Sequence, residues 1–137
     1  MKIKKLIPYI LVFLIAFFAA PLIGKWFIQK ANDEAEKYIE DFHPNTYGLQ
    51  DGTYQGKFKI FNLITLSHVE FSIKENKIKK MRFKKMFHTP GYLSKDDITS
   101  KIKNNNQLEL DAITGATRTS NFAKAAIKNA IKNQNFK

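Results

Sequence analysis

The sequence predicts an α+β fold: a small antiparallel sheet packed with helices and preceded by one N-terminal transmembrane helix. Three observations predict it. An uncharged apolar run lies near the N-terminus, alternating apolar and polar stretches fill the middle of the chain, and an amphipathic helical pattern ends it. We expect residues 1–29 to form the anchor, 30–46 a juxtamembrane helix or stalk, and 47–137 one folded domain.

The uncharged run extends from Leu6 to Gly24. As a helix it measures roughly 28 Å, close to the hydrocarbon core of a bilayer at about 30 Å. Lysines before it favour a cytoplasmic N-terminus and a domain facing outside the cell membrane, although lysines also follow it. The run exceeds the usual apolar region of a signal peptide, so we favour an uncleaved single-pass anchor over a cleaved signal or a buried helix. The polar segment 30–42 reads as a stalk or, almost equally, as a packed first helix.

The amino-acid composition limits the classes of ligand, cofactor and partner that this chain can bind. The formal net charge is +11, which suits anionic ligands, lipid head groups or wall polymers. Nucleic acid is the generic partner of such charge, but an exported domain rarely meets it, so none is expected. The chain has no cysteine, which excludes disulfides, thiolate metal sites, iron–sulfur clusters, thioether-linked haem and a lipoprotein anchor. The three histidines do not have metal-ligand spacing, and no metal site is expected.

Strand patterns follow from residue 51. In "DGTYQGKFKIF" Tyr54, Phe58 and Ile60 share one face, and Gly56 marks a bulge or a close backbone approach. Residues 64–73 and 78–87 read as two further strands joined by the turn "KENK", with an apolar face and a solvated, lysine-rich face. A loop (88–97), a short helix ("SKDDITSKIKNNN") and a short strand (107–113) follow, which gives about four or five strands. The last helix has an apolar stripe made of Phe122, Ala123, Ala126, Ile127, Ala130 and Ile131.

The run "DAITGATRTS", residues 111–120, links that short strand to the last helix. Thr119 or Ser120 is expected to cap the helix, and Gly115 permits unusual backbone conformations. The free N–H groups of the first helical turn, the charge of Arg118 and several hydroxyls suit an anionic group such as phosphate. From the residues alone, plain helix capping and anion binding both stay open.

The same run resembles the flavin-attachment motif of the FMN-binding domain family. In addition, "DGTYQG" (51–56) resembles that family's opening strand, and "HTPGY" (88–92) resembles its "ETPG" loop, which lies against the isoalloxazine ring. The resemblance extends over roughly residues 47–134. The attachment motif is matched by Asp111, Thr114, Gly115, Ala116, Thr117, Thr119 and Ser120.

The resemblance implies a phosphoester between FMN and Thr117, made by a separate flavin transferase that takes FMN from FAD. It also implies a recognition role for Asp111 in that transfer. His88 stands where the family usually has Glu, and we hypothesise that it raises the flavin potential, against the plainer alternative of an exposed loop histidine. The expected cofactor-binding residues are Thr117, Thr114, Gly115, Ala116, Arg118, Thr119, Ser120, Asp111, His88, Thr89, Pro90 and Gly91.

The chain has no Cys/His pair, no nucleophile elbow and no "GxGxxG" fingerprint, so no catalytic residues are expected. This favours an electron carrier in a respiratory or extracellular electron-transfer chain over an enzyme with its own soluble substrate. Its expected partners are the flavin transferase and a membrane electron donor such as a quinone-linked dehydrogenase. Two alternatives stay open: a basic binding module for anionic wall polymer or lipid head groups, and a protein that binds FMN reversibly for sensing or assembly.

Overall fold

The computed structural model describes residues 3–87, 98–100, 102, 103, 108 and 117–134, with the backbone alone at 117 and 118. Its elements are helix α1 (Ile3–Ile39), strands β1 (Gly52–Ile60), β2 (Ile64–Lys74) and β3 (Lys77–Met86), and helix α2 (Thr117–Gln134). The chain forms two compact units, Met1–Asp33 and Glu34–Lys137.

Helix α1 is continuous across the segments that the sequence divided into an anchor and a juxtamembrane helix. It is long and apolar enough to cross a membrane, a test that a signal sequence near the N-terminus also passes. It ends at Ile39, just before the sequence reaches His43 and Pro44. The domain boundaries at residues 29 and 46 stay predictions.

The three strands form one antiparallel sheet in the order β1-β2-β3. The alternation predicted for β1 and for residues 68–73 of β2 is confirmed, because the apolar positions there are buried and the side chains between them are exposed or half-buried. On β3 two register shifts space the buried positions unevenly, so that Met81 is only half-buried. The apolar face of the sheet contains Tyr54, Phe58, Ile60, Val69, Phe71, Ile73, Ile78, Phe83 and Met86.

Helix α2 covers this apolar face, and Gly56 sets how closely it lies. A Cβ atom on Gly56 would lie 2.2 Å from the carbonyl oxygen of Ala126 and 2.3 Å from the backbone nitrogen of Ala130. Backbone therefore packs directly against backbone at this point, and of the two predictions for Gly56 the close approach is confirmed. The predicted apolar stripe of α2 is also buried, except for Ile131, which is half-buried.

The direction of α2 relative to β1 follows from three contacts. Gln134 lies beside Gly52, Ala126 and Ala130 beside Gly56, and the Phe122 ring stacks on Phe58 at 5.8 Å between centroids. The helix therefore runs antiparallel to β1. Its first turn lies at the end of the sheet where β1 turns into β2.

The last turns of α1 pack along α2. The Asn121 amide donates to the Glu36 carboxylate at 3.2 Å. The Tyr38 hydroxyl donates to Asn129, whose own amide donates to the carbonyl of Lys57 on β1 at 2.7 Å. Burial raises the pKa of the Tyr38 hydroxyl, which keeps it a donor over the ordinary pH range. Residues 34–39 are thus part of the packed unit and run in the same direction as α2.

Between β3 and α2 only short pieces are described. Residues 98–100 and 102–103 are helical, within the predicted short helix, and Ile98 and Ile102 are buried one turn apart. Leu108 is fully buried. The described residues contain three strands, and the rest of the strand predicted at 107–113 lies outside them.

Candidate functional site

The attachment run meets the described part of the chain at the start of α2. Thr117 is the first residue of the helix, so Thr119 and Ser120 are its third and fourth residues. The prediction that Thr119 or Ser120 caps the helix is therefore wrong. The intrinsic helix propensities of Thr and Arg differ from those of other ordinary residues by less than about 1 kcal/mol. Residues 117–119 can therefore be helical, and the helix extends back to Thr117. The residues before Thr117 lie outside the described ranges.

The first turns of α2 are enclosed on every side. All five residues from Thr119 to Ala123 are buried, with at most 7% of their surface exposed. Successive residues of a helix are about 100° apart, so five of them encircle the axis. A helix that merely rests on a sheet would expose some of these positions. Among the described residues, the sheet covers one side and Glu36 contacts another.

Two hydroxyls at this end of the molecule are buried without a hydrogen-bond partner among the described residues: Ser120 Oγ and Ser67 Oγ. Ser67 lies on β2 between Phe58 of β1 and Met86 of β3, on the face that α2 covers. A buried hydroxyl without a partner costs about 1–3 kcal/mol. A polar ligand at this end of α2 would remove that cost, so the residues present fit a hydroxyl-rich or phosphate-bearing group.

The segment that follows β3 starts beside α2. The Phe87 N–H donates to the carbonyl of Leu66 at 2.7 Å, and its ring lies 6.2 Å from that of Phe122. Phe122 lies five residues after Thr117, about 7.5 Å along the helix axis. Phe87 and Thr117 therefore lie at the same end of the sheet.

Most of the predicted site residues cannot be placed. The side chains of Thr117 and Arg118 are not described, and the remaining residues lie outside the described ranges. Their roles stay predictions. The residues outside are Asp111, Thr114, Gly115, Ala116, His88, Thr89, Pro90 and Gly91.

The sheet face opposite α2 is strongly basic. One cross-strand row on this face contains Lys57 of β1, His68 of β2 and Lys85 of β3. In the next row on the same face, Glu70 of β2 pairs with Arg82 of β3. Lys84 Nζ lies 2.7 Å from the Glu70 carboxylate, and that hydrogen bond is the main reason why the pKa of Glu70 is lowered.

The same charges act on the imidazole of His68. Burial lowers its pKa, and the positive charges of Lys57 and Lys84 lower it further, whereas Glu70 opposes the shift. The amide nitrogen of Gln55 lies 3.0 Å from His68 Nε2 and donates to it in the tautomer whose proton is on Nδ1. The predicted solvated, lysine-rich face is thus confirmed, and the lysines on it help to lower the pKa of His68.

Sequence reasoning missed Ser67 and Glu36. The signal for Ser67 was present, since the alternation of Val69, Phe71 and Ile73 puts position 67 on the apolar face. A serine at an inward position is a polar group that needs a partner. Nothing local marks Glu36, because its partner Asn121 is 85 residues away.

A small antiparallel sheet with a helix on its apolar face, behind an N-terminal apolar helix, defines a small α+β domain on a candidate membrane anchor. Residues 67–132 match the family model described as the FMN-binding domain, which is consistent with an FMN-binding domain in this segment. The resemblance seen in the sequence is thereby confirmed. No curated protein and no solved structure matches the chain.

The matched segment begins at Ser67 and includes β3 and most of α2. It therefore contains both buried hydroxyls and the start of the helix at Thr117. An FMN-binding domain behind an apolar N-terminal helix fits a membrane-anchored FMN-binding protein.

Proposed function

We propose that this protein is an electron carrier on the outer side of the cell membrane, with FMN bound covalently through a phosphoester to Thr117. One observation carries the proposal: within the FMN-binding segment, Thr117 is the first residue of a helix whose opening turns are enclosed. A phosphate attached to Thr117 would lie next to the buried residues Thr119 to Ala123.

The start of α2 suits a phosphate for a physical reason. The first four N–H groups of a helix have no partner within it, and the helix dipole places positive potential there. A phosphate ester on Thr117 would accept hydrogen bonds from these groups. Thr119 and Ser120 would add hydroxyls, and Arg118 a positive charge. The loop of residues 88–91 would contact the flavin ring, as the family resemblance implies.

Attachment requires a separate enzyme. An FAD-dependent flavin transferase would move the FMN phosphoryl group from FAD to the hydroxyl of Thr117. The new bond joins the Thr117 oxygen to phosphorus, the bond between the FMN phosphorus and AMP breaks, and the hydroxyl proton leaves with AMP or solvent. A covalent bond matters outside the membrane, where a dissociated cofactor would be lost.

Once bound, FMN supplies the redox chemistry, and the protein supplies position and electrostatics. The sequence has no Cys/His pair, nucleophile elbow or "GxGxxG" fingerprint for a second substrate. We therefore propose that it receives electrons from a membrane donor such as a quinone-linked dehydrogenase and passes them to a second partner. The apolar helix α1 would keep the carrier at the membrane that contains its donor.

Intact-mass measurement tests the attachment. The full chain is coexpressed with a flavin transferase, and one FMN-sized mass adduct is expected. Thr117→Val should lack the adduct, because it removes the hydroxyl and keeps the volume, whereas Thr117→Ser should retain it. Thr53→Val is the matched control, since Thr53 is exposed on β1, and it should retain the adduct.

Three outcomes would contradict the proposal. An adduct on Thr117→Val would place the linkage elsewhere. A yellow protein whose flavin is released on denaturation would indicate reversible binding. A colourless wild type whose affinity for anionic polymer falls steeply with salt would indicate the binding module. For electron transfer, the flavin absorbance should bleach when a quinone-linked donor is supplied with its substrate in membranes.

A further inference from the structure

The sheet has two hairpin turns that each contain two consecutive residues with left-handed φ, but the β1–β2 turn has three residues (61–63) and the β2–β3 turn has two (75 and 76). Their chemistry is opposite. In the β1–β2 turn Phe61 and Asn62 have φ of 53° and 56°, and in the β2–β3 turn Glu75 and Asn76 have φ of 54° and 58°. Left-handed backbone is a common choice for tight hairpins, and Asn tolerates it, but it is uncommon for a bulky residue such as Phe. The β1–β2 turn thus keeps an aromatic residue where the backbone disfavours one.

The two turns also differ in what they present to solvent. Residues 61–64, here called the apolar tip, expose 83% of Leu63 and 46% of Ile64. Phe61 is 47% exposed. The β2–β3 turn is polar, and its Glu75 N–H is bound by the Asp51 carboxylate at 2.9 Å. Side chains this apolar at a protruding turn indicate a contact with something outside the domain.

Positive charge borders the apolar tip. Lys59 is the last exposed residue of β1 before it, and Lys57 and Lys85 lie in the nearest cross-strand row of the basic face. All three are exposed. Apolar side chains flanked by lysines are typical of a surface that binds an anionic membrane. The apolar side chains enter the interfacial region, and the lysines contact the anionic head groups. An anionic wall polymer would use the lysines but not Leu63.

The position of the apolar tip agrees with a membrane contact. Phe58 of β1 contacts Phe122 of α2. From this contact, the chain continues about 10 Å along β1 to Phe61, and α2 extends about 7.5 Å in the same direction to its first residue, Thr117. The tip and the start of α2 are therefore at one end of the domain. Within the unit Glu34–Lys137, α1 runs alongside α2 in the same direction, so the chain also enters this unit at that end.

We propose that the apolar tip inserts into the interfacial region of an anionic bilayer. Leu63 and Ile64 would enter the head-group boundary, and Lys57, Lys59 and Lys85 would lie against the lipid charges. The start of α2 would then face the membrane surface. This contact does not depend on the flavin and is tested without it.

The absence of cysteine makes the test direct, because one introduced cysteine is the only thiol. The full chain with Leu63→Cys is labelled with an environment-sensitive fluorophore and placed in nanodiscs of phosphatidylcholine, alone or mixed with phosphatidylglycerol. We expect emission at shorter wavelength and quenching by a head-group spin-labelled lipid, both larger with the anionic lipid. Glu75→Cys, in the exposed polar turn of the other hairpin, is the control and should show neither.

Adding Lys59→Gln should lower the ratio of lipid-embedded to water-exposed probe about fivefold in anionic nanodiscs, and little in neutral ones. Circular dichroism on each labelled variant confirms that the domain is folded. Equal emission at positions 63 and 75 in both lipid mixtures would overturn the proposal. A second outcome would also overturn it: the emission at position 63 is shifted, the lipid quencher does not reduce it, and the shift grows with the number of chains per nanodisc. That result would show that the tip contacts a second copy of this chain.

Discussion

Replacing Gly56 with alanine should displace α2 from the sheet. The added Cβ would lie 2.2 Å from the Ala126 carbonyl oxygen, whereas ordinary contact begins at 3.4 Å, so the backbones must separate by about 1.2 Å. The nearest atoms belong to the helix backbone and cannot rotate away. Overpacking costs typically about 1–3 kcal/mol, and the rigid contact places this substitution near 3 kcal/mol. That is a large fraction of the roughly 5–15 kcal/mol by which a domain is stable.

Urea unfolding of the full chain in detergent, followed by circular dichroism, measures this cost. With a slope of about 1.5 kcal/mol per molar urea, the midpoint should fall by about 2 M. Adding Ala130→Gly to the Gly56→Ala variant should not restore stability, because the clash is with the nitrogen and Cα of residue 130. A loss below about 1 kcal/mol, or rescue by Ala130→Gly, would refute the direct backbone contact.

Gly48→Ala separates steric from conformational cost. Gly48 has φ of +87° and nothing within 4 Å of its added Cβ, so its loss should reflect backbone strain alone, about 1 kcal/mol. Gly56 does not have left-handed backbone, so its loss is due to packing alone and should be the larger of the two. A larger loss at Gly48 than at Gly56 would contradict this order.

Two further predictions concern the histidines. The pKa of His68 is lowered from its ordinary 6.5, so the unfolded chain binds the proton more readily and the unfolding free energy should fall as pH drops below about 6.5. Urea titrations between about pH 7 and 5.5 should show a flatter dependence for His68→Gln; identical slopes would contradict the shift. His88→Glu should lower the flavin potential in a redox titration by on the order of 30 mV for two electrons, about 1.4 kcal/mol, because the carboxylate repels charge on reduced flavin. An unchanged potential would leave His88 as a plain loop residue.

Local patterns predicted the sheet and the helix that covers it. The alternation around Tyr54 and Phe71, and the apolar stripe that begins at Phe122, reflect which side of an element meets the core. Gly56 was recognisable because a glycine inside a strand has few other uses. Each of these signals lies within ten or fifteen consecutive residues.

What could not be predicted depends on contacts between distant parts of the chain. Thr119 is a good capping residue, and only the packed position of α2 shows that the helix starts two residues earlier. The bonds of Glu36 to Asn121 and of Tyr38 to Asn129 join residues about 85 to 91 positions apart. The left-handed backbone of Phe61 is likewise invisible in the sequence, because propensity argues against it.

The buried hydroxyls of Ser67 and Ser120 have a consequence for the lifetime of the protein in the cell. With no partner among the described residues, they make the protein without its ligand less stable than its apolar core would allow. A ligand that bonds to them stabilises the folded state by mass action and lowers the fraction of open molecules. Since proteases act on opened chains, molecules without the ligand would be degraded first. Turnover would thereby enrich the ligand-bound form.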